Sequence, residues 1–369
     1  MLVFPGPVHD IEEHFRERLV GLSDDYRGVV LVAGPQERTA RIGAFDVTML
    51  AEGRGLKLGE FRRFLAAAHA AIRTAQEPFT AIVSYDPLKT GLLGWRIGRR
   101  LGIPLIVEVN GDYTARSNYS EVPTALLRAL KRRAYITLER FVLSHASGIK
   151  LLYPGQIDAF RSATRNAVVR VFPNLVDVRD FRDLGEAPEV LFAGFPYHLK
   201  GVDVLIAAFQ EVSKEFPEWR LKILGWFPEQ REMQAAIAGH ARIAVHPAVY
   251  RREMPEHVGR CGIFVLPSRT EAMGRVLIEA AACAKPRIGS AVGGVPGVIT
   301  HEVDGLLVAP GNVTELAQAL RRLMSDRALR QRLGDNALRR VREEFSARAY
   351  FTRMREFYGA VIAAYGRAA

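Results

Sequence analysis

Cysteine is almost absent. The 369 residues hold only Cys261 and Cys283. Two thiols exclude a disulfide framework, no Cys/His cluster has zinc-ligand spacing, and both are read as ordinary reduced core residues. Long apolar runs are missing as well: no stretch approaches the roughly 20 uninterrupted apolar residues that cross a bilayer. The opening MLVFPGPVHDIEEHF turns acidic within a few residues, without a basic segment followed by a long apolar core. It therefore does not read as a signal peptide, and the chain is expected in the cytoplasm. No G-x-x-x-x-G-K-[ST] occurs, no G-x-G-x-x-G follows a strand, and neither G-x-S-x-G nor H-E-x-x-H is present. Gly53, Gly55 and Gly59 have the wrong spacing for a phosphate loop and read as ordinary loop. Asp-x-Asp is absent too. A transferase that grips its substrate through a divalent ion would normally need such a carboxylate pair, so no metal ligand is expected.

Acidic residues are the minority, 40 against 51 Lys plus Arg, which leaves a net charge of +11. That balance points to anionic partners, among them nucleotides and anionic lipid. Nucleic acid is set aside: the basic residues are dispersed, with few interleaved aromatics and no RRM, KH or helix-turn-helix pattern.

What is present is a nearly continuous alternation of short β-rich runs with helical patterns. Strands are expected at Leu2–Pro5, Gly28–Ala33, Phe45–Leu50, Ala81–Ser84 and Pro104–Val109. Helices are expected over Ile11–Leu22, Leu58–Thr74, Lys89–Leu101 and Thr124–Ser144. Regular structure breaks near Val171–Leu184, at Pro173. The alternation then resumes from Glu189–Ala193 to a helix over Arg327–Glu344, including a helix expected from Glu229. Short β-branched runs between helices are the pattern of buried parallel strands. The expectation is an α/β chain of two doubly wound Rossmann-like domains, 1–173 and 184–346, facing across a cleft. A last amphipathic helix within 347–369 has no strand to pair with and is expected to pack back on the first domain. In such sheets ligands sit at the carboxyl ends of the strands.

Two strand–loop–helix segments carry the chemistry. In FVLPSRTEAMGRVLIE, residues 264–279, a buried strand ends at Pro267, a loop carries Glu271, and a helix opens at Met273–Gly274. The first helical turn presents free N–H groups and the positive end of the helix dipole. Gly274 allows a phosphate to approach the backbone, and Arg275 adds charge beside it. Glu279 lies on a helix that is apolar or small on nearly every face, so a partner must donate to it. That partner is either a ligand diol such as a ribose, or an Arg or backbone group of the protein. In VLFAGFPYHLKGVD, residues 190–203, Lys200 sits at a helix start near Gly194 and Gly201. It reads either as a phosphate-binding ammonium or as a solvated surface lysine.

The E-x7-E pair of Glu271 and Glu279 sits between FVLPS and EAAACAKPRIGSAVGGVPGVITHEVDGLLVAPGN. Together with LKGVDVLIAAF, FPEWRLKILG and LGDNALRRVREEFS it resembles the donor-binding half of the GT-B glycosyltransferases of family GT4. DPLKTGLLGWRIGRRLGIPLIVEVNGD, HASGIKLLYPG and VFPNLVDVRDF extend the resemblance more weakly into the first half. About three quarters of the chain is covered.

The resemblance implies transfer of a sugar from a UDP- or GDP-linked nucleotide donor to a glycan or lipid-linked acceptor, with retention of anomeric configuration and no cofactor. It implies that Glu271 approaches the donor-sugar hydroxyls and Glu279 holds the ribose. Met273, Gly274, Arg275 and Val276 offer backbone N–H groups, and Lys200 neutralises the departing diphosphate near Gly194. Gly6, in the loop after the first strand, lies near donor and acceptor. Asn110 stands where the family often has His, facing the donor sugar. Two departures stand out: Phe195 where the family often has a phosphate-binding Arg, for which Arg275 or Arg269 is the expected substitute, and Gly297 where it often has Glu. Other readings are a GT-B epimerase and a catalytically silent nucleotide-sugar-binding scaffold. In ALLRALKRRAYITLERFV, residues 125–142, apolar residues fall at 127, 130, 134, 138 and 141 among five basic ones. That pattern reads either as a helix that docks on anionic lipid or as an ordinary solvated face.

Overall fold

The computed structural model describes residues 1–51, 57–115, 119, 122–227 and 230–368. Gly53, Gly55 and the expected helix start at Glu229 lie outside them. The chain divides into two compact units, one of residues 1–173 with 350–369 and one of residues 174–349. Both are parallel α/β sheets of the Rossmann kind.

The first unit carries β1 (Leu2–Phe4), β2 (Gly28–Gly34), β3 (Arg38–Ile42), β4 (Phe45–Ala51), β5 (Ile82–Ser84), β6 (Leu105–Val109), β7 (Gly148–Leu151) and β8 (Val168–Val171). They lie in the order β3-β4-β2-β1-β5-β6-β7-β8. All pairings are parallel except the hairpin β3–β4. Three of these strands, β3, β7 and β8, go beyond the sequence expectation. β3 (RTARI) carries charge on its open edge, as edge strands do. β7 (GIKL) has a lysine in a buried run, and that lysine is the reason the run does not look like core.

Glu108 on β6 stands opposite Lys150 on β7, and both are fully buried. Arg18 from the helix Ile11–Leu22 pairs with Glu108, and Tyr358 donates to Glu108 Oε1 at 3.0 Å. Burial opposes ionisation of Glu108, but the charges of Arg18 and Lys150 outweigh it and hold the carboxyl below its ordinary range. Tyr358 belongs to the helix Ala347–Ala368, whose Met354, Phe357, Tyr358 and Val361 are buried. Gly148 on β7 leaves room for Val361: a β-carbon there would sit 2.5 Å from Val361 Cγ2. Thus a helix with no strand of its own completes the first unit's core, each large apolar side chain contributing about 2 kcal/mol by burial.

The second unit carries β9 (Glu189–Ala193), β10 (Arg220–Leu224), β11 (Ile243–His246), β12 (Ile263–Leu266), β13 (Arg287–Ser290) and β14 (Leu306–Val308). Their order is β11-β10-β9-β12-β13-β14, all parallel. The strand order reverses between β9 and β12, and the loops leaving that pair point to opposite sides of the sheet and open a crevice. Two short helices, Met254–Arg260 and Val295–Val298, go beyond the expected elements; each has Pro in its first turn, where the missing N–H costs nothing.

The helix Ala125–Ser144 is capped by Thr124, whose side chain accepts from Leu127 N. Only part of its expected apolar stripe is free. Leu138 and Phe141 pack against the first unit's core, while Leu126, Leu127 and Leu130 are 70, 52 and 55% exposed. Among its basic residues Arg132 donates to Thr114 O at 2.8 Å and Arg140 reaches Ala159 O, whereas Arg128, Lys131 and Arg133 are exposed. No helix among the described residues is long and apolar enough to cross a membrane.

Candidate active site

The crevice between β9 and β12 is built by two loops sewn together through backbone. Arg269 N donates to Leu199 O at 2.9 Å. Gly201, at φ 69°, lies against Pro267, and a β-carbon there would collide with the Pro267 carbonyl oxygen. Any other residue would push the loops apart and strain the backbone. Gly294 N donates to Glu271 O at 3.1 Å, tying the second loop to the GGVPG turn as well.

This framework brings Lys200 and Glu271 together. Lys200 Nζ donates to Glu271 Oε2 at 2.6 Å, and Ser268 Oγ lies 3.3 Å from the same oxygen. The lysine stem passes Gly194, whose missing β-carbon would sit 3.6 Å from Lys200 Cγ. The side chains are 21% and 13% exposed, so Lys200 is not the freely solvated lysine that one reading allowed. Glu271 was expected to meet a sugar; here its carboxylate meets the ammonium expected to meet phosphate. The contact pins both side chains at the strand ends and leaves Glu271 Oε1 outside it.

Next to this pair opens the helix Arg275–Ala282, with Gly274 as its cap at φ 77° and no side-chain capping hydrogen bond. The N–H groups of its first turn are therefore not claimed by a capping side chain, and the left-handed cap favours glycine. Met273 is buried, its Sδ accepting from Asn174 N at 3.2 Å; Val276 is half-buried.

Glu279 is 4% exposed, and Arg275 Nε donates to its Oε1 at 2.9 Å. Burial raises the Glu279 carboxyl above its ordinary range, while Arg275 pulls it back. Of the two partners left open for Glu279, the structure supplies the arginine. The expected spare charges are thus both committed. Arg275 is turned back along its own helix to Glu279, and Arg269 holds Asp203 through two 2.7 Å bonds and His198 O through a third. The i,i+4 spacing of Arg275 and Glu279 was a visible signal for that pair. Ser268, fully buried beside Glu271, and Arg251, whose charge acts on Glu279, were not singled out.

Gly6 and Asn110 belong to the first unit, at the ends of β1 and β6. Gly6 is half-buried, with open space where a β-carbon would stand. Asn110 Nδ2 donates to Tyr85 O at 3.0 Å, which joins the ends of β5 and β6. Gly297 also faces open space, and its carbonyl accepts from Arg340 at 2.7 Å. Among the described residues no group of three or more His, Cys, Asp or Glu is placed to hold a metal ion.

The fold is that of two Rossmann-like α/β units, the second with a crevice at its strand-order reversal, and comparison with known proteins makes the family plain. Residues 179–340 match the family described as glycosyl transferases group 1, and residues 11–174 match the glycosyl transferase 4-like domain. A D-inositol 3-phosphate glycosyltransferase of Kineococcus radiotolerans is 32% identical over 311 residues, 74% of this chain and 70% of that protein. The chain belongs to the group 1, GT4-like glycosyltransferases. The matched segments span 66, 37 and 15% of the length of three other curated relatives. Two solved GT-B structures share the fold. Sucrose-phosphate synthase from Thermosynechococcus elongatus has a TM-score of 0.79 at 21% identity, with 98% of this chain and 99% of that one covered. HepE of Anabaena, solved in complex with UDP-glucose, has a TM-score of 0.73 at 18% identity, with 97% and 99% covered.

Proposed function

We propose that the protein transfers a glycosyl group from a UDP- or GDP-linked sugar to a hydroxyl of a glycan or lipid-linked acceptor, with retention at the anomeric carbon. The carrying observation is the Lys200–Glu271 pair at the strand-order reversal, beside a helix mouth whose first N–H groups donate to no capping side chain. During transfer the bond from C1 to the diphosphate oxygen breaks and its electron pair stays on the diphosphate. The acceptor oxygen bonds C1 and passes its proton to the departing diphosphate oxygen. Lys200 and the first-turn N–H groups of Met273 to Val276 oppose the growing negative charge. These fixed charges do the work often given to a divalent ion, and the reaction is proposed to run without one.

Glu271 orients the sugar hydroxyls through its oxygen outside the ion pair, and is not a nucleophile. Glu279 takes the ribose diol, with Arg275 holding its carboxylate in place. Gly194 keeps the approach to Lys200 open, and Gly6 and Asn110 serve the sugar and acceptor from the first unit. UDP-glucose in the Anabaena relative supports the donor class. The setting proposed is synthesis of surface polysaccharide, lipopolysaccharide or glycolipid. The exposed leucines and basic residues of helix Ala125–Ser144 serve to dock an anionic membrane surface on the cytoplasmic side.

A silent nucleotide-sugar-binding scaffold is the second reading, favoured by Phe195 at the missing arginine. A thermal-shift panel of UDP, GDP, ADP and their sugars, with and without EDTA, tests the donor assignment. A stabilising UDP or GDP series unaffected by EDTA supports it, and no shift with any nucleotide overturns it. Binding without turnover of any acceptor leaves the scaffold.

A further inference from the structure

We infer that Phe195 and Trp226 form the seat on which the nucleobase of the donor stacks, an inference that rests on the reading of these strand ends as the nucleotide site. The two residues follow the ends of neighbouring strands β9 and β10. Both are large, apolar and solvent-facing, 45% and 63% exposed. Their ring centroids are 5.1 Å apart with planes at 51°.

This exposure is built rather than incidental. The next aromatic on each loop turns inward: Tyr197 is 1% and Phe227 4% exposed, and these two rings meet edge to face at 6.2 Å. An anchored aromatic pair thus lies under a free one. The two turns touch, because a β-carbon on Gly225 would collide with the Gly194 carbonyl oxygen, and Gly194 N donates to Leu224 O at 3.0 Å. The backbone that carries the two rings is therefore held at the strand ends.

Position selects the occupant. Gly194, the residue before Phe195, lies against the Lys200 stem, so the rings and the lysine leave the same strand end. A nucleoside diphosphate is a flat heteroaromatic ring tethered to a dianion, and these are the two chemistries set side by side here. Stacking on an aromatic face does not depend on which base is offered, so the platform tells a nucleotide from bare pyrophosphate rather than uracil from guanine. The aromatic at position 195 is then not a mere loss of a phosphate ligand: it trades charge on the phosphate for area under the base.

Trp226 also provides the readout. The chain has three tryptophans; Trp219 is 3% exposed and Trp95 is packed edge to face on Phe141 at 4.7 Å. The full-length protein and its W226A, W226F and F195A variants are titrated with UDP, GDP and pyrophosphate by calorimetry and intrinsic fluorescence. The expected result is quenching by UDP or GDP that disappears in W226F while affinity is kept. W226A and F195A should bind the nucleoside diphosphate about tenfold more weakly, with pyrophosphate affinity unchanged. Wild-type-like nucleotide affinity in W226A, or an effect confined to the acceptor KM, overturns the base seat and leaves the donor site standing. A wild-type protein that binds neither UDP nor GDP overturns both.

Discussion

At the scale of single residues, the chemistry that could be read from the sequence was the chemistry carried by backbone-linked spacing. Glu271, Glu279, Gly274 and Lys200 stand at fixed offsets from strand ends, and the structure brings Lys200 and Glu271 into contact. Side-chain partner choice was less legible. Arg269 looked like a spare cation because its partner Asp203 stands 66 residues away in sequence, whereas the partner of Arg275 lies one turn along its own helix.

Glu139 is a residue of another kind. It is 1% exposed on helix Ala125–Ser144, and its Oε2 has no hydrogen-bond partner among the described residues. Burial, helped by the charge of Asp112, pushes its carboxyl from 4.5 up to about 8. The folded chain therefore keeps a proton that the unfolded chain releases above pH 4.5. Stability should fall as pH rises from there to about 8, by about 1.4 kcal/mol per pH unit in the steep part. E139Q should flatten this slope and be most stabilising at pH 8 and above. Urea unfolding at pH 5, 6, 7 and 8 measures it, and a variant with the wild-type slope refutes the assignment.

At the scale of elements, helices were the more legible. Ile11–Leu22, Lys89–Leu101 and Arg327–Glu344 appear with the expected ends, because caps such as Asp10, Gly102 and Asp326 mark them locally. Strands β3, β7 and β8 were less visible, since a strand whose partners come from elsewhere in the chain needs no apolar run of its own. Lys150 shows the reason: β7 tolerates a buried lysine only because Glu108 stands opposite it.

The helix Ala125–Ser144 divides at its middle, with Leu138 and Phe141 in the core and Leu126, Leu127 and Leu130 outside. Its proposed docking on anionic lipid needs both the leucines and the charges. L126S/L130S should reduce co-sedimentation with anionic liposomes at least tenfold, and raised salt should do the same to the wild-type protein. Equal sedimentation of the variant, or salt-insensitive binding, would contradict it. The variant changes only exposed positions, so its melting temperature should stay within a few degrees.

At the scale of the whole molecule, the sequence reading reached two Rossmann-like sheets because the alternation of strand and helix is local and repeats. The order of the strands was not legible, and that order makes the site: the reversal between β9 and β12 is a property of pairing, not of any one segment. The helix Ala347–Ala368 shows the same limit. Its amphipathic pattern was plain, but the burial of Tyr358 against Glu108, some 250 residues away in sequence, rests on tertiary packing alone.

The central claim is that fixed positive charge at this reversal drives departure of a nucleoside diphosphate. Its most direct test is the rate of nucleoside diphosphate release from the preferred donor, measured in EDTA for the wild-type protein and for K200A. The account predicts wild-type turnover that survives EDTA and a variant about 10²- to 10³-fold slower, with folding unchanged. Equal rates in the two proteins, or a wild-type rate that collapses in EDTA and returns with a divalent ion, would contradict it.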